Sequence, residues 1–458
     1  MRVLCFALLA SFCCGAFANA TDFYIDPVHG TPEGQGTKGS PWQSLQGVFD
    51  RGLVQSQQWE SLPPTDATKL VAKNPQGVVN PGDTIHLLPG DHGTLTLRGY
   101  YNEQPITLCA EPANQAVLHR ISLVAASNWV FKDLTLTPNP KETKRRGDLI
   151  SVRNHGHHGK VHDITVEGCQ LSSASDSDIA KWTIEDWNKL PANGILADGT
   201  QITIRNNQVR NVNFGISVNA SHSLVEHNLV ENFAGDGLRG LGDYSVFQYN
   251  TVKNCYDVND NHDDGFQSWS TGSGRPGSGK VVGITLRGNV IINFEDPNQP
   301  FRGPLQGIGC FDGMFEDWVV ENNVIVVDQW HGLTLLGATG CRIVNNTVVD
   351  AAEGRPGPAW ICIDKHKNGT PATNNVVRNN LVTSLRVPDR QANQVDHNLV
   401  IESLEQEFTD PSAFDFSLKA DSKAIDAGAA DLAPEIDIAG TPRPQGKAVD
   451  LGAYELKE

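Results

Sequence analysis

From residue 200 onward, apolar and polar residues alternate in short runs, and each run closes on asparagine. "ITIRNN" ends at Asn207, "SLVEHN" at Asn228, "SVFQYN" at Asn250, "ITLRGN" at Asn289, "WVVENN" at Asn323, "CRIVNN" at Asn346, "NVVRNN" at Asn380 and "NQVDHN" at Asn398. Successive closing asparagines lie 21, 22, 39, 34, 23, 34 and 18 residues apart, so a unit of about 22 recurs and three units carry insertions. Alternation with period two predicts strands that put one face into a core and the other toward solvent. The recurring Asn suits a bend, where its side chain bonds to backbone and a left-handed conformation is tolerated. Stacked over many units, these amides would form a ladder.

A second strand in each unit starts at or beside a glycine: "GISVN" at Gly215, "GLRGL" at Gly237, "GFQSW" at Gly265, "GIGCF" at Gly307 and "GLTLL" at Gly332, with "WICID" at Trp360 in the same place. In the short units the glycine follows the closing Asn by 8 or 9 residues, and in two long units by 15 and 18. Extra residues therefore enter on one edge, just ahead of this strand, and "STGSGRPGSGK" adds a Gly/Ser loop behind it. The expected fold is an all-β solenoid whose long loops wall a groove on one side. A propeller would need four strands per repeat and about twice the period.

This pattern resembles the single-stranded right-handed parallel β-helix of secreted polysaccharide-processing enzymes. The resemblance assigns residues 105–400 to the β-helix and its catalytic groove. It assigns 21–104 to an N-terminal capping segment with the first coils, and 401–458 to a C-terminal capping segment. Capping is a physical need, because an open coil exposes unpaired backbone and apolar core.

Composition adds compartment and partner. Arg2, the apolar run Val3–Phe12 and the small-x-small triplet Ala18-Asn19-Ala20 read as a signal peptide over residues 1–20, cleaved near Ala20, and hence as export to the periplasm or the exterior. No later run is long and apolar enough to span a bilayer. The formal net charge of -17 argues against nucleic acid or an anionic membrane as partner. Six cysteines after the leader stand singly with no CxxC, which suits small buried residues better than a zinc site or a disulfide framework. A monomer is expected.

Alignment of the units on their glycines stacks Phe214, Asp236, Asp264, Gln306 and His331 in one column. Neighbouring coils lie ~4.8 Å apart, so Asp236 and Asp264 would be close enough that both cannot ionise without an offsetting group. Arg239 and Gln267 fall two residues past their glycines, with Trp269 beyond, and the loop "DVNDNHDD" brings His262 and Asp263 to the same edge. Asp257 and Asp260 equally suit plain turn roles. Gln267, Trp269, Lys181, Trp182, Arg145, Arg146 and Lys365 are the candidate substrate contacts, since a local cation excess in an acidic chain suits capture of a polyanion.

"DNHDDG" resembles the Asp-x-His-acid motif of β-helix mannuronan epimerases, and "GDTIHLLPG" with "QPITLCAEP" resembles the early coils of alginate lyases and chondroitinase B. The resemblance implies a uronate-containing, anionic polysaccharide as substrate, processed by β-elimination or 5-epimerisation. It implies His262 as base, Tyr256 as acid, and Arg239 with a protonated Asp264 as carboxylate neutralisers. A calcium ion on Asp236, Asp263 and Asp264 is the alternative neutraliser. The order Asp236, Asp263–Asp264, His331 also resembles polygalacturonases, which implies an inverting hydrolase. A non-catalytic glycan-binding or adhesion protein is the third reading.

Overall fold

The computed structural model describes residues 20–139, 141, 147–273, 275–350 and 356–457. The leader up to Asn19 and the candidate contacts Arg145 and Arg146 lie outside the described residues.

Each coil contributes three short strands that stack in parallel on those of the next coil, giving three parallel faces. One coil runs Ile216–Val218, Leu224–Glu226 and Leu229–Phe233, and the next runs Leu238–Gly240, Val246–Gln248 and Thr251–Cys255. Ile216 pairs with Leu238, Leu224 with Val246, and Leu229 with Thr251. The face beginning at the glycines is called the groove sheet below. Inward residues such as Ile204, Val225, Phe247, Leu286, Val320 and Ile343 are fully buried and form one continuous core.

The closing asparagines do form a ladder. Nδ2 of Asn207 donates to Oδ1 of Asn228 at 2.9 Å, and the same bond links Asn228 to Asn250, Asn250 to Asn289, Asn289 to Asn323, Asn323 to Asn346, Asn346 to Asn380 and Asn380 to Asn398 at 2.8–3.0 Å. Each amide also donates to a core-side carbonyl, as Asn289 does to Phe247 at 2.9 Å. The left-handed residue is not the ladder Asn but the one before it: Asn206, His227, Tyr249, Asn322, Asn345 and Asn379 all have φ between 53° and 57°. That residue turns the corner, which leaves the ladder side chain free to point inward. At Gly288 the same position has φ 61°, and an added Cβ would meet the Tyr249 ring at 2.6 Å, because that ring stacks on His227 and leans over the next coil.

The start of the chain inserts helix Leu45–Asp50, which buries Leu45, Val48 and Phe49, with Phe49 against Tyr100 and Trp129 at ring distances of 5.6 and 5.8 Å. Residues 401–457 run back along the outside of the third sheet. Phe408, Phe416, Leu418, Leu451 and Ala453 cover outward-facing Val324, Val326, Val349 and Leu381 in a second apolar cluster. The corner amides of Asn322, Asn345 and Asn379 donate to Ile436, Asp450 and Ala429 carbonyls at 2.7, 2.9 and 2.8 Å and hold this segment in place. Covered on both faces, strands Val324–Val326 and Thr347–Val349 are buried at every position and lose their alternation.

Candidate functional site

The groove sheet brings the expected column together. Gly237 N donates to the Asp264 carbonyl at 2.8 Å and Arg239 pairs with Gln267, which stacks Asp236 on Asp264 in adjacent coils. Asp264 pairs with Gln306, and Gly307 N donates to the His331 carbonyl at 2.9 Å.

The carboxyls are buried: Asp236 is 1% exposed, Asp264 0% and Asp263 7%. Asp236 Oδ2 accepts from Arg239 Nε, and Asp264 Oδ2 accepts from Gln267 Nε2 at 2.7 Å. The other oxygen of each of Asp236, Asp263 and Asp264, together with Oε1 of Gln306, is buried without a hydrogen-bond partner. Burial pushes Asp236 up to about 6, with the Arg239 charge holding it from rising further. Burial, reinforced by the charges of Asp257 and Asp236, pushes Asp263 up to about 8. Asp264 is driven well above the carboxylate range, by burial first and by Asp236 second. Burial therefore favours the protonated form throughout the cluster, least at Asp236, where the Arg239 charge offsets it, and most at Asp264.

Arg239 is itself sandwiched, its guanidinium carbon 3.9 Å from the Phe214 ring centroid and 5.4 Å from that of Trp269. Beside it, Gln267, Ser268, Trp269, Pro276, Gly309, Phe311 and Asp312 line a cleft of about 190 Å³. Gly309 makes this geometry possible, since a Cβ there would overlap Asp264 Oδ1. His331 stands two coils on. Its Nδ1 is 2.9 Å from Thr334 Oγ1, and the Phe311 and Trp360 rings meet it edge-on at 4.7 and 5.4 Å. Burial, and then the Arg386 charge, push its imidazole down to about 4, so it is neutral at pH 7.

His262 is exposed on the loop feeding strand Asp264–Trp269, close enough to Asp236 to interact with it electrostatically. Tyr256 does not join the column. It packs with Ile179, Trp187 and Val258 in a separate apolar cluster, stacked on Trp187 at 4.4 Å, and burial raises its phenol. The Trp187 side comes from the inserted helices Asp176–Ile179 and Ile184–Lys189, the second opened by a Thr183–Asp186 capping box. Asn188 Nδ2 donates to the Val258 carbonyl at 2.9 Å, so the insertion braces the loop that carries His262 and Asp263. Trp182 lies edge-on to Trp187 at 5.0 Å and Lys181 is exposed beside it, both on this wall. Lys365 is exposed at the far end of the sheet, on a cleft of about 820 Å³, the largest of the clefts described and not the one beside the acids.

The three acids suggested as calcium ligands are adjacent, yet among the described residues no group of three or more His, Cys, Asp or Glu is arranged to hold a metal ion. Arg239 and Gln267 already take one oxygen each from Asp236 and Asp264. Sequence reasoning missed Phe311, Thr334, Trp360 and Arg386 as neighbours of His331. Arg386 falls in the outward column of Arg239 and Gln267, as the register partner of Cys362, so one more coil in the alignment would have found it.

Residues 193–400 match the family model described as right handed beta helix region. The fold is a right-handed parallel β-helix. Solved structures similar to this β-helix protein include pectate lyase Pel9A, at 15% identity over 96% of this chain and 97% of that one, with a TM-score of 0.43. The A-module of Azotobacter vinelandii mannuronan C-5 epimerase AlgE6 is similar at 13% identity, 70% and 91% coverage and TM-score 0.45. The lacto-N-biosidase of Eubacterium ramulus is similar at 12% identity, 82% and 68% coverage and TM-score 0.42. No curated protein matches the sequence significantly. Among the described residues no helix is long and apolar enough to cross a membrane.

Proposed function

We propose that the protein is a secreted enzyme acting on an acidic, uronate-containing polysaccharide, by removal of the ring proton next to the sugar carboxylate. The supporting observation is that a buried carboxyl driven toward its protonated form, Asp264, accepts from the Gln267 amide at 2.7 Å, and that Gln267 in turn stacks beside the Arg239 guanidinium next to the Trp269 ring. A uronate carboxylate set against these donors loses the charge that otherwise opposes carbanion formation, and such preorganised stabilisation usually contributes more to catalysis than any other effect.

In this reading His262 takes the proton from the carbon bearing the carboxylate. For elimination, the bond from the neighbouring carbon to the glycosidic oxygen breaks, a carbon–carbon double bond forms, and protonated Asp263 gives its proton to the leaving oxygen. For epimerisation the proton returns from the opposite face and the chain stays intact. Neutral His331 is the alternative base for a sugar lying further along the groove. Tyr256, held in an apolar cluster, is not needed for either route.

A hydrolase is favoured by one observation, the difference between an ionisable Asp236 and a protonated Asp264, which supplies an acid and a base. Their coils lie ~4.8 Å apart, however, shorter than the ~6.5–9.5 Å that leaves room for water in an inverting pair, and Asp236 is already engaged by Arg239.

The deciding experiment incubates the protein with alginate, pectate, glucuronan and glycosaminoglycans, with and without chelator. Ultraviolet absorbance of an unsaturated uronate marks elimination, and inverted uronate at constant chain length marks epimerisation. New reducing ends without unsaturation mark hydrolysis. No change in any substrate rejects the enzymatic reading.

A further inference from the structure

Read outward and coil by coil, the groove sheet gives Arg239, Gln267, Gly309, Thr334, Cys362 and Arg386 in register. Five steps of ~4.8 Å place Arg386 ~24 Å along the groove from Arg239. The two arginines sit in like surroundings. Arg239 lies over Phe214 and Trp269, and Arg386 lies 5.3 Å from the Trp360 ring centroid.

At this far end an aromatic platform is already built. Trp330 and Trp360 are parallel to within 18° with centroids 6.4 Å apart, and Trp330 is 40% exposed. Both indoles are pinned, since Trp330 Nε1 donates to the Gly357 carbonyl at 3.0 Å and Trp360 Nε1 to Thr334 Oγ1 at 3.2 Å. A ring fixed in this way binds a sugar face without first losing rotamer freedom. The Arg386 guanidinium reaches Asp364 only at 3.6 Å and lines the 820 Å³ cleft together with Lys365 and Arg390, against two acids, Asp364 and Asp389. A guanidinium fork suits a carboxylate better than a neutral hydroxyl does. The acid column has no counterpart here. Ala359, two residues before the register partner of Leu333, stands where Asp236 and Asp264 stand in their coils.

We infer that Trp330, Trp360 and Arg386, spread over the second to fourth coils beyond that of Asp264, form a second subsite that holds a further uronate of the same polysaccharide chain. The inference rests on the proposed substrate class. Its consequence is selection by length, because only a chain long enough to span the groove reaches both arginines.

The test is calorimetric titration of oligouronates, a trisaccharide and a decasaccharide, into the wild-type protein, Trp330→Ala and Arg386→Gln. A neutral decasaccharide serves as a further ligand. Trp330 is exposed, so its replacement leaves the core intact, and thermal melting checks both variants. The expected result is a decasaccharide-to-trisaccharide affinity ratio that falls roughly ten-fold in each variant, the size of one stacked or charge-assisted contact. The Arg386→Gln loss should be confined to the acidic chain. An unchanged ratio overturns the subsite, and an equal loss on neutral chains overturns its carboxylate role. Length-dependent acidic binding without conversion sinks the catalytic proposal while the subsite stands, and absence of any binding by the wild type sinks both.

Discussion

Asp236 and Asp264 occupy the same place in successive coils, joined by the Gly237 N to Asp264 carbonyl bond of 2.8 Å, and only Asp236 has a guanidinium against it. That asymmetry sets their protonation apart. The same repeat that stacks the residues would otherwise give two equal, mutually repelling acids. Arg239 settles which one ionises, and Asp264 becomes a buried acid with an uncommitted oxygen beside the Gly309 cleft.

Replacing Asp264 by asparagine keeps the shape and the neutral charge of the protonated acid but removes its exchangeable carboxyl proton. Turnover should fall ~10² to 10³-fold, the cost of one preorganised group at a developing charge, while the melting temperature stays within a few degrees. Turnover equal to the wild type on the true substrate would remove Asp264 from the mechanism.

The raised carboxyls fix a pH signature. Folded Asp236 and Asp263 hold their protons up to about 6 and about 8, whereas both release them near the ordinary carboxylate value of 3.8 when unfolded. Between those limits the folded state binds more protons, so their contribution to stability is full below pH 4 and is lost as pH climbs through about 6 and then about 8. Asp263→Asn should therefore melt higher than the wild type at pH 8, with the gap closing at pH 5. In kcat/KM, Asp263 as the acid predicts a fall as it loses its proton near 8. A flat profile from pH 5 to 9 would contradict this assignment of charges.

Much of this geometry is legible in the order of residues, because the coil period, the ladder Asn and the glycine together fix which side chains stack. Asp236 over Asp264, and His331 two coils on, follow from counting alone. Arg386 was hidden because its strand, Ser384–Arg386, lies one coil past "WICID", the last unit placed by its second strand, and itself lacks the glycine of the earlier units. The surroundings of Tyr256, assigned through the resemblance alone, were hidden for a different reason. Its neighbour Trp187 comes from an insertion outside the repeat, and no periodicity reports what an insertion packs against. The strands under residues 401–457 read as uniformly apolar, a trace of their outer cover that becomes interpretable once the cover is seen.

Gly309 offers a test of position apart from chemistry. An alanine methyl there would overlap Asp264 Oδ1 without entering the core, so Gly309→Ala should turn the carboxyl away from the cleft. Displacement of a reacting group by about an ångström costs roughly 10²-fold in rate. The expected outcome is that loss in kcat with an unfolding midpoint close to wild type. A midpoint that drops with the activity would mean that Gly309 serves the fold and not the site.

The ladder carries the register on which the column depends, and Asn289 is a suitable link to break. Its Oδ1 accepts from both the backbone N and Nδ2 of Asn250 at 3.1 and 2.9 Å, and its own Nδ2 serves the Phe247 carbonyl and Asn323 Oδ1. Asn289→Leu fills the space but takes one bond each from two buried donors and two buried acceptors, at roughly 1–3 kcal/mol for each group left without a partner. Chemical denaturation should show a loss of at least about 3 kcal/mol, while Asn298→Leu, at an exposed turn, should stay within about 0.5 kcal/mol. Asn289 lies between the coil of Asp264 and that of Gln306, so activity should fall further than stability alone explains if the amide link sets the alignment of the column. Equal losses would show that backbone pairing suffices to hold it.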